Sequence, residues 1–125
     1  MEKRIIPISL PVTGNDEWLA LKEPLETGWL TAGPKVRAFE DAFAERHQVK
    51  YAVAVTSATT ALHLALIALD IKAGDQVIVP AFTWVSTANV VLYQGAEVVF
   101  CDIDPKTFNL DPKKLKEKIT PKTKA

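Results

Sequence analysis

Two short runs, Thr56-Ser57-Ala58-Thr59-Thr60 and Pro80-Ala81-Phe82-Thr83-Trp84, carry the residues best suited to hold a ligand. The first ends a β-rich segment (Tyr51, Val53, Val55) and opens an Ala/Leu-rich helix. A strand that runs through small hydroxyl residues into a helix leaves several backbone N–H groups without partners, with the positive end of the helix dipole behind them. That is a phosphate-binding geometry. The second run ends the next predicted strand and presents the indole of Trp84. An anion cradle and an aromatic plate at neighbouring strand ends would grip a flat, phosphorylated cofactor. A plainer reading stands beside each: Ser57 and Thr59 are good helix caps with no ligand at all, and Trp84 fits a core. The place of Trp84 after Thr83, at a strand-to-helix turn, favours ligand contact, because rigid aromatic surface there serves a ligand better than a sheet.

The other titratable residues read as structural. His63 follows the phosphate-like turn on the same predicted helix, and with no Cys, His or carboxylate at metal-ligand spacing it reads as a packed or hydrogen-bonded side chain. His47, beside Arg46 at a helix end, complements the negative dipole terminus. Asp102 and Asp104 look like paired carboxylates, but Asp104-Pro105 more economically starts a turn. Lys113, Lys114, Lys116 and Lys118 alternate with Leu115 and Ile119 as the solvated face of an amphipathic helix. No metal site is expected. The chain has no GxGxxG and no Walker lysine, so neither a dinucleotide fold nor a nucleoside triphosphatase gains support.

The elements that must position these residues alternate. From Tyr51 onward the pattern predicts strand (Tyr51 to Val55), helix (about Ala58 to Leu69), strand (Gln76 to Val79), helix (about Val85 to Tyr93) and strand (Glu97 to Cys101), then a charged helix capped by Asp111-Pro112. Helical connections between successive strands imply a mainly parallel sheet in a three-layer αβα arrangement. Ligands of such folds bind beyond the carboxyl ends of the strands, where Thr56 to Thr60, Pro80 to Trp84 and Asp102 to Asp104 all fall. Ahead of this β-α part, which we place at 49–125, residues 1–48 read as a helical segment of the same single domain. An extended start around Ile5 to Leu10 leads to a helix with Asn15 or Asp16 as its cap and Gly28 as its stop. Pro24 should kink it or split it in two. A second helix starts at Gly33-Pro34 and runs to His47 on Val36, Phe39, Ala42 and Phe43.

Composition sets the outer limits. The 125 residues are 48% hydrophobic, enough for one domain with a core. Fifteen basic side chains balance fifteen acidic ones, so no global field favours nucleic acid or an anionic membrane, and neither is an expected partner. The lone Cys101 lies in an apolar run and reads as a small buried hydrophobe in a reducing, cytoplasmic setting. The start, Met1 to Pro7, is too soon broken by proline for a secretory signal, and no apolar run is long enough to span a bilayer. A soluble, intracellular protein is expected.

Four ordered motifs then point to a family: Gly28-Trp29-Leu30-Thr31-Ala32-Gly33-Pro34; Thr56-Ser57-Ala58-Thr59-Thr60-Ala61-Leu62-His63; Gly74 through Asn89; and Ile119-Thr120-Pro121-Lys122-Thr123-Lys124-Ala125. In order and spacing they resemble the N-terminal part of the DegT/StrS sugar aminotransferases, pyridoxal 5'-phosphate (PLP) enzymes of fold type I. The resemblance implies that Ser57, Ala58 and Thr59 bind the cofactor phosphate and that Trp84 stacks on its pyridine ring. It gives Thr31 a contact with substrate, in a loop that approaches the active site of a homodimer. The family usually has glycine at the position of Ala58. Its reaction moves an amino group, usually from glutamate, to a keto group on a nucleotide-linked sugar, in the making of amino sugars for surface polysaccharides, lipopolysaccharide or antibiotics. The Thr83 to Thr87 run looks most like enzymes acting on 4-keto sugars.

Such a reaction needs a Schiff-base lysine, an acid that keeps the ring nitrogen protonated, and a phosphate anchor. The family places the first two beyond Ala125, and no lysine here matches, so the chain contributes no catalytic residue and is expected to be inactive alone. Thr120 to Ala125 reads as a loop leading to another strand, which makes the sequence look like part of a longer protein. In fold type I the first strand is separated from the second and third by strands formed later. This stretch alone therefore cannot rebuild the family sheet: either its strands pair in another order, or a second copy or the rest of the same protein completes them. Two alternatives stay open, a PLP-dependent sugar dehydratase of the same family, with histidine in place of the lysine, and a non-catalytic phosphate-binding or assembly module.

Overall fold

The computed structural model describes residues 6–125, which fall into two compact units divided between Ala54 and Val55. Met1 to Ile5, with the start of the expected extended segment and most of the stretch judged against a secretory signal, lie outside the described residues.

In the first unit, residues 6–14 form neither helix nor strand, and α1 spans Asn15–Thr27. Its cap is Gly14, one residue ahead of the expected Asn15 or Asp16. Glycine has no side chain to accept from the first turn; instead the Glu17 carboxylate reaches back and accepts from the Gly14 N–H at 2.7 Å, which holds the Glu17 carboxyl below its usual range. Asp16 and Glu17 then sit in the first turn, at the positive end of the dipole. Of the two outcomes expected at Pro24, a kink or a split, the split does not occur. The helix continues to Thr27 as one element, because the missing proline N–H falls close to an end where few bonds remain to be lost, and Thr27 Oγ1 donates to the Glu23 carbonyl at 2.9 Å. Gly28, at φ 70°, ends it in the left-handed conformation that glycine adopts without strain.

Helix α2 covers Pro34–His47 with the proline in its first turn, as expected. Phe39, Phe43 and His47 follow one another at helical spacing: the phenylalanine rings are 6.0 Å apart, and the imidazole stacks on Phe43 at 4.3 Å. Ala44 is buried, and Glu40 accepts the N–H of Ala54 at 2.9 Å. The expected strand over Tyr51 to Val55 is absent. These residues carry no ladder, and Tyr51 and Val53 are exposed. An extended, β-branched segment becomes a strand only when a neighbouring strand takes its N–H and C=O groups; among the described residues the one group that takes an N–H here is the Glu40 side chain, at Ala54.

The second unit has the predicted β-α rhythm: α3 (Ala58–Ala68), β1 (Gln76–Pro80), α4 (Ser86–Tyr93), β2 (Glu97–Cys101) and α5 (Pro112–Lys118). β1 and β2 are parallel, with Gln76 opposite Glu97 and Pro80 opposite Cys101. Alternate residues Val77 and Val79 are buried and join Leu66, Ile71, Val90, Val91 and Ala96 in one core, with Ala88 and Val98 packed against it. Val90 and Val91 are almost fully enclosed, each worth roughly 1.5–3 kcal/mol of burial. Cys101 is fully buried, as expected of a small hydrophobe.

The final residues continue the sheet. Gln76 N–H donates to Lys122 O at 2.8 Å, Lys124 N–H to Gln76 O at 2.9 Å and Ile78 N–H to Ala125 O at 2.9 Å, so Lys122 to Ala125 run parallel to β1 on the edge away from β2. The strand anticipated after Thr120-Pro121 thus begins on this edge, and β1 is central.

Candidate functional site

The opening of α3 is built by Ser57, in extended backbone, whose Oγ accepts the Thr60 N–H at 3.2 Å and whose carbonyl takes the Ala61 N–H. The cap therefore consumes one of the amides that the sequence left free. Those of Ala58 and Thr59, the first two helical residues, have no intrahelical carbonyl to reach and no other partner among the described residues. No acidic side chain stands in the first turn to compete for an anion. Ser57 and Thr60 hydroxyls lie 3.0 Å apart and those of Thr56 and Thr60 3.3 Å, so a ring of small polar groups frames the amides.

Thr59 is tied to a neighbouring element. Its Oγ1 donates to Ser86 Oγ at 3.0 Å, a partly buried bond that ties the start of α3 to the start of α4. Ser86 went unnoticed in the sequence; its one signal was a hydroxyl opening the helix that follows Trp84. Trp84 itself sits just before α4, where its carbonyl accepts the Thr87 N–H at 3.0 Å, and the residue is 77% exposed. It is not a core residue. Ser57, Ala58, Thr59 and Trp84 accordingly belong to two helix starts joined by one hydrogen bond. Thr31 lies in the other unit, on a pocket of about 130 Å³ shared with Glu23, Trp29 and Lys35, where Lys35 Nζ and Glu23 pair at 2.6 Å.

Beyond the strand ends, Ala81, Phe100, Asp102, Lys114, Glu117 and Lys118 line a cleft of about 330 Å³. Lys114 is more than the solvated residue expected: its Nζ donates to Asp102 Oδ2 at 2.9 Å, holding that carboxyl below and its own ammonium above their usual ranges. Asp104 starts a turn as anticipated, accepting the Lys106 N–H on Oδ1 at 2.7 Å. His63 packs edge-on against Tyr93, with ring centres 5.4 Å apart, also as anticipated.

The pattern that defines the DegT/DnrJ/EryC1/StrS aminotransferases matches residues 11–125. The chain belongs to that family. Among its relatives is the spore coat polysaccharide biosynthesis protein SpsC of Bacillus subtilis, 51% identical over 120 residues, which are 96% of this chain and 31% of SpsC. A Streptococcus pneumoniae protein assigned as a sugar aminotransferase, solved in PLP, PMP and apo forms, superposes with a TM-score of 0.86 at 38% identity over 94% of this chain and 30% of that one. The E. coli GDP-4-keto-6-deoxy-D-mannose-3-dehydratase with bound hydrated PLP gives 0.87 at 36% identity, over 94% of this chain and 32% of the enzyme. The chain thus spans about a third of the length of the relatives it matches. These likenesses establish the fold as the N-terminal part of the family's α/β architecture, and pyridoxal phosphate as the family's cofactor.

The residues at the starts of α3 and α4 fit that cofactor. The free amides of Ala58 and Thr59 at a helix start, with only a methyl side chain at Ala58, suit a phosphate ester, and the exposed indole of Trp84 suits a flat heterocycle.

Proposed function

We propose that this chain is the cofactor-anchoring part of a PLP-dependent enzyme that transfers an amino group, from glutamate, to a keto group on a nucleotide-linked sugar in polysaccharide or other amino-sugar biosynthesis. The observation that carries the reading is the Thr59–Ser86 hydrogen bond, which joins the open amide end of α3 to the turn bearing Trp84. Pyridoxal phosphate, when bound, supplies the electron sink for amino transfer. The chain's own residues do the holding. Ser57, Ala58 and Thr59 would hold the phosphate through backbone N–H groups and hydroxyls, and Trp84 would offer its exposed indole to the ring and exclude water from that face. Thr31, on its own pocket, contacts substrate. The lysine and the acid of the chemistry come from sequence outside this chain, so the 125 residues do not transaminate alone, and the working enzyme is a cytoplasmic homodimer.

A second reading, sugar dehydration, is favoured by the match to the E. coli dehydratase. The test is an assay of the full-length protein with PLP, glutamate and nucleotide-linked 4-keto sugars. Formation of 2-oxoglutarate with a product carrying a new amino group supports the proposal. Loss of a sugar hydroxyl without net amino transfer would transfer the assignment to the dehydratase. A protein that takes up PLP and does neither would be the non-catalytic module.

A further inference from the structure

The segment that carries Trp84 is hydrogen-bonded at both ends and not between them. Ala81 N–H donates to Cys101 O at 2.8 Å, closing the ladder, and the Trp84 carbonyl already belongs to the first turn of α4. Between these points neither Phe82 nor Thr83 has a hydrogen bond to another described residue. One contact spans the gap: the Phe82 ring packs against Phe108, with ring centres 5.9 Å apart and planes tilted by 47°.

Phe108 is an unusual residue to find there, because its φ is 59°. A bulky side chain is strained in the left-handed region, which favours glycine and asparagine. The surrounding loop enforces it. Asp104 N–H donates to Asn109 O and Phe108 N–H to Asp104 O, both at 2.8 Å, Asp111 N–H donates to Asp102 O at 3.1 Å, and Ile103 pairs with Leu110 in an antiparallel bridge. Asn109, next in the chain, would occupy a left-handed position at less cost, yet the loop places the phenylalanine there. Strain of this kind persists where the neighbourhood over-determines it, and it collects at sites that need a side chain aimed. Phe108 gains little burial in return, since it and Phe82 both remain exposed.

We propose that Phe108 is a positioning residue: the loop from Ile103 to Leu110 aims its ring at Phe82 and thereby fixes the orientation of Trp84. This deepens the cofactor reading above and rests on it for the ligand, though not for the mechanical link from Phe108 to Trp84. Phe108 touches no reacting atom, so its effect is on how the indole is presented.

The test uses the full-length protein with Trp18→Phe and Trp29→Phe, so that Trp84 is the remaining fluorophore of this segment. Phe108→Gly removes the ring and accepts the backbone conformation; Phe108→Tyr keeps both ring and strain. In cofactor-free protein, Phe108→Gly should lower the emission anisotropy attributable to Trp84, obtained by difference from a Trp84→Phe control, and raise its quenching by acrylamide, with Phe108→Tyr at parental values. PLP titration followed by absorbance should show about a tenfold weaker Kd for Phe108→Gly and a change within twofold for Phe108→Tyr. In a Phe82→Leu background the Phe108→Gly effect should vanish, a non-additivity that general destabilisation would not produce and that stands even where one single variant folds poorly. Unchanged anisotropy in Phe108→Gly, failure of Phe108→Tyr to preserve it, or full additivity with Phe82→Leu would overturn the proposal. A parent protein that binds no PLP would instead overturn the cofactor reading, while the anisotropy arm still decides the role of Phe108.

Discussion

At the scale of single residues, Gly33 shows how a motif letter acquires a physical reason. A Cβ at this position would lie 2.2 Å from Trp29 Nε1 and 2.5 Å from Cε2, because the indole folds over the glycine while Nε1 donates to the Ala32 carbonyl at 3.3 Å. The backbone there is extended, so the requirement is one of space and not of φ. Gly33→Ala should therefore expel the indole and reshape the pocket that Thr31 lines, costing on the order of 1–3 kcal/mol in denaturant unfolding of the full-length protein. An unfolding curve that matches the parent would show that the indole moves aside freely. The sequence displayed this glycine only as part of a turn before a helix; the crowding depends on a side-chain orientation that no spacing reveals. Ser57 is the opposite case, a residue whose capping role was legible because an N-cap is a local arrangement set within a few residues. For Thr59, residue type predicted a hydroxyl near a phosphate, but its Ser86 partner lies 27 positions away and needed the tertiary structure to be found.

At the scale of elements, helices and the two paired strands were readable because their signals are local: Gly33-Pro34 starts α2, Asp111-Pro112 starts α5 with Asp111 Oδ1 accepting the Lys113 N–H at 2.8 Å, and alternating apolar residues mark β1. The two misreadings have equally definite causes. Tyr51 to Val55 has the composition of a strand but lacks the neighbour that would make it one, and the split allowed for at Pro24 fails because the proline falls near the end of α1. The ion pair that links β2 to α5 gives a pH prediction. Asp102 is held below its model-compound value of 3.8, chiefly by the hydrogen bond from Lys114 and then by its charge. A carboxyl with a lowered folded-state pKa contributes stability above its unfolded value and loses it as pH falls through the lower, folded value. Lys114, raised above 10.5, contributes below its unfolded pKa and loses that contribution as pH rises through the folded one. Lys114→Met should move the Asp102 titration up toward 3.8, as followed by carbon-13 NMR of the side-chain carboxyl. Because both groups are exposed, added salt should shrink the difference. An unmoved Asp102 titration would show that the pair does not persist in solution.

At the scale of the whole molecule, the second unit follows a simple logic: β1 lies between β2 and Lys122 to Ala125, and the residues proposed to hold the cofactor stand at the starts of α3 and α4. Four motifs in order made the family legible before any coordinates, since each motif carries turn and cap chemistry that the fold requires. The exposure of Trp84 and the exact partner of each hydroxyl were not legible, because they depend on how separate β-α units close against one another. The central claim is that the open amides of Ala58 and Thr59, together with the Trp84 indole, form one binding surface for pyridoxal phosphate. A crystal structure of the full-length protein grown with PLP tests it most directly. The account predicts phosphate oxygens within about 3 Å of the Ala58 and Thr59 nitrogens and the Trp84 ring parallel to the pyridine, in van der Waals contact. A phosphate seated elsewhere, or an indole turned away from the bound ring, would contradict it.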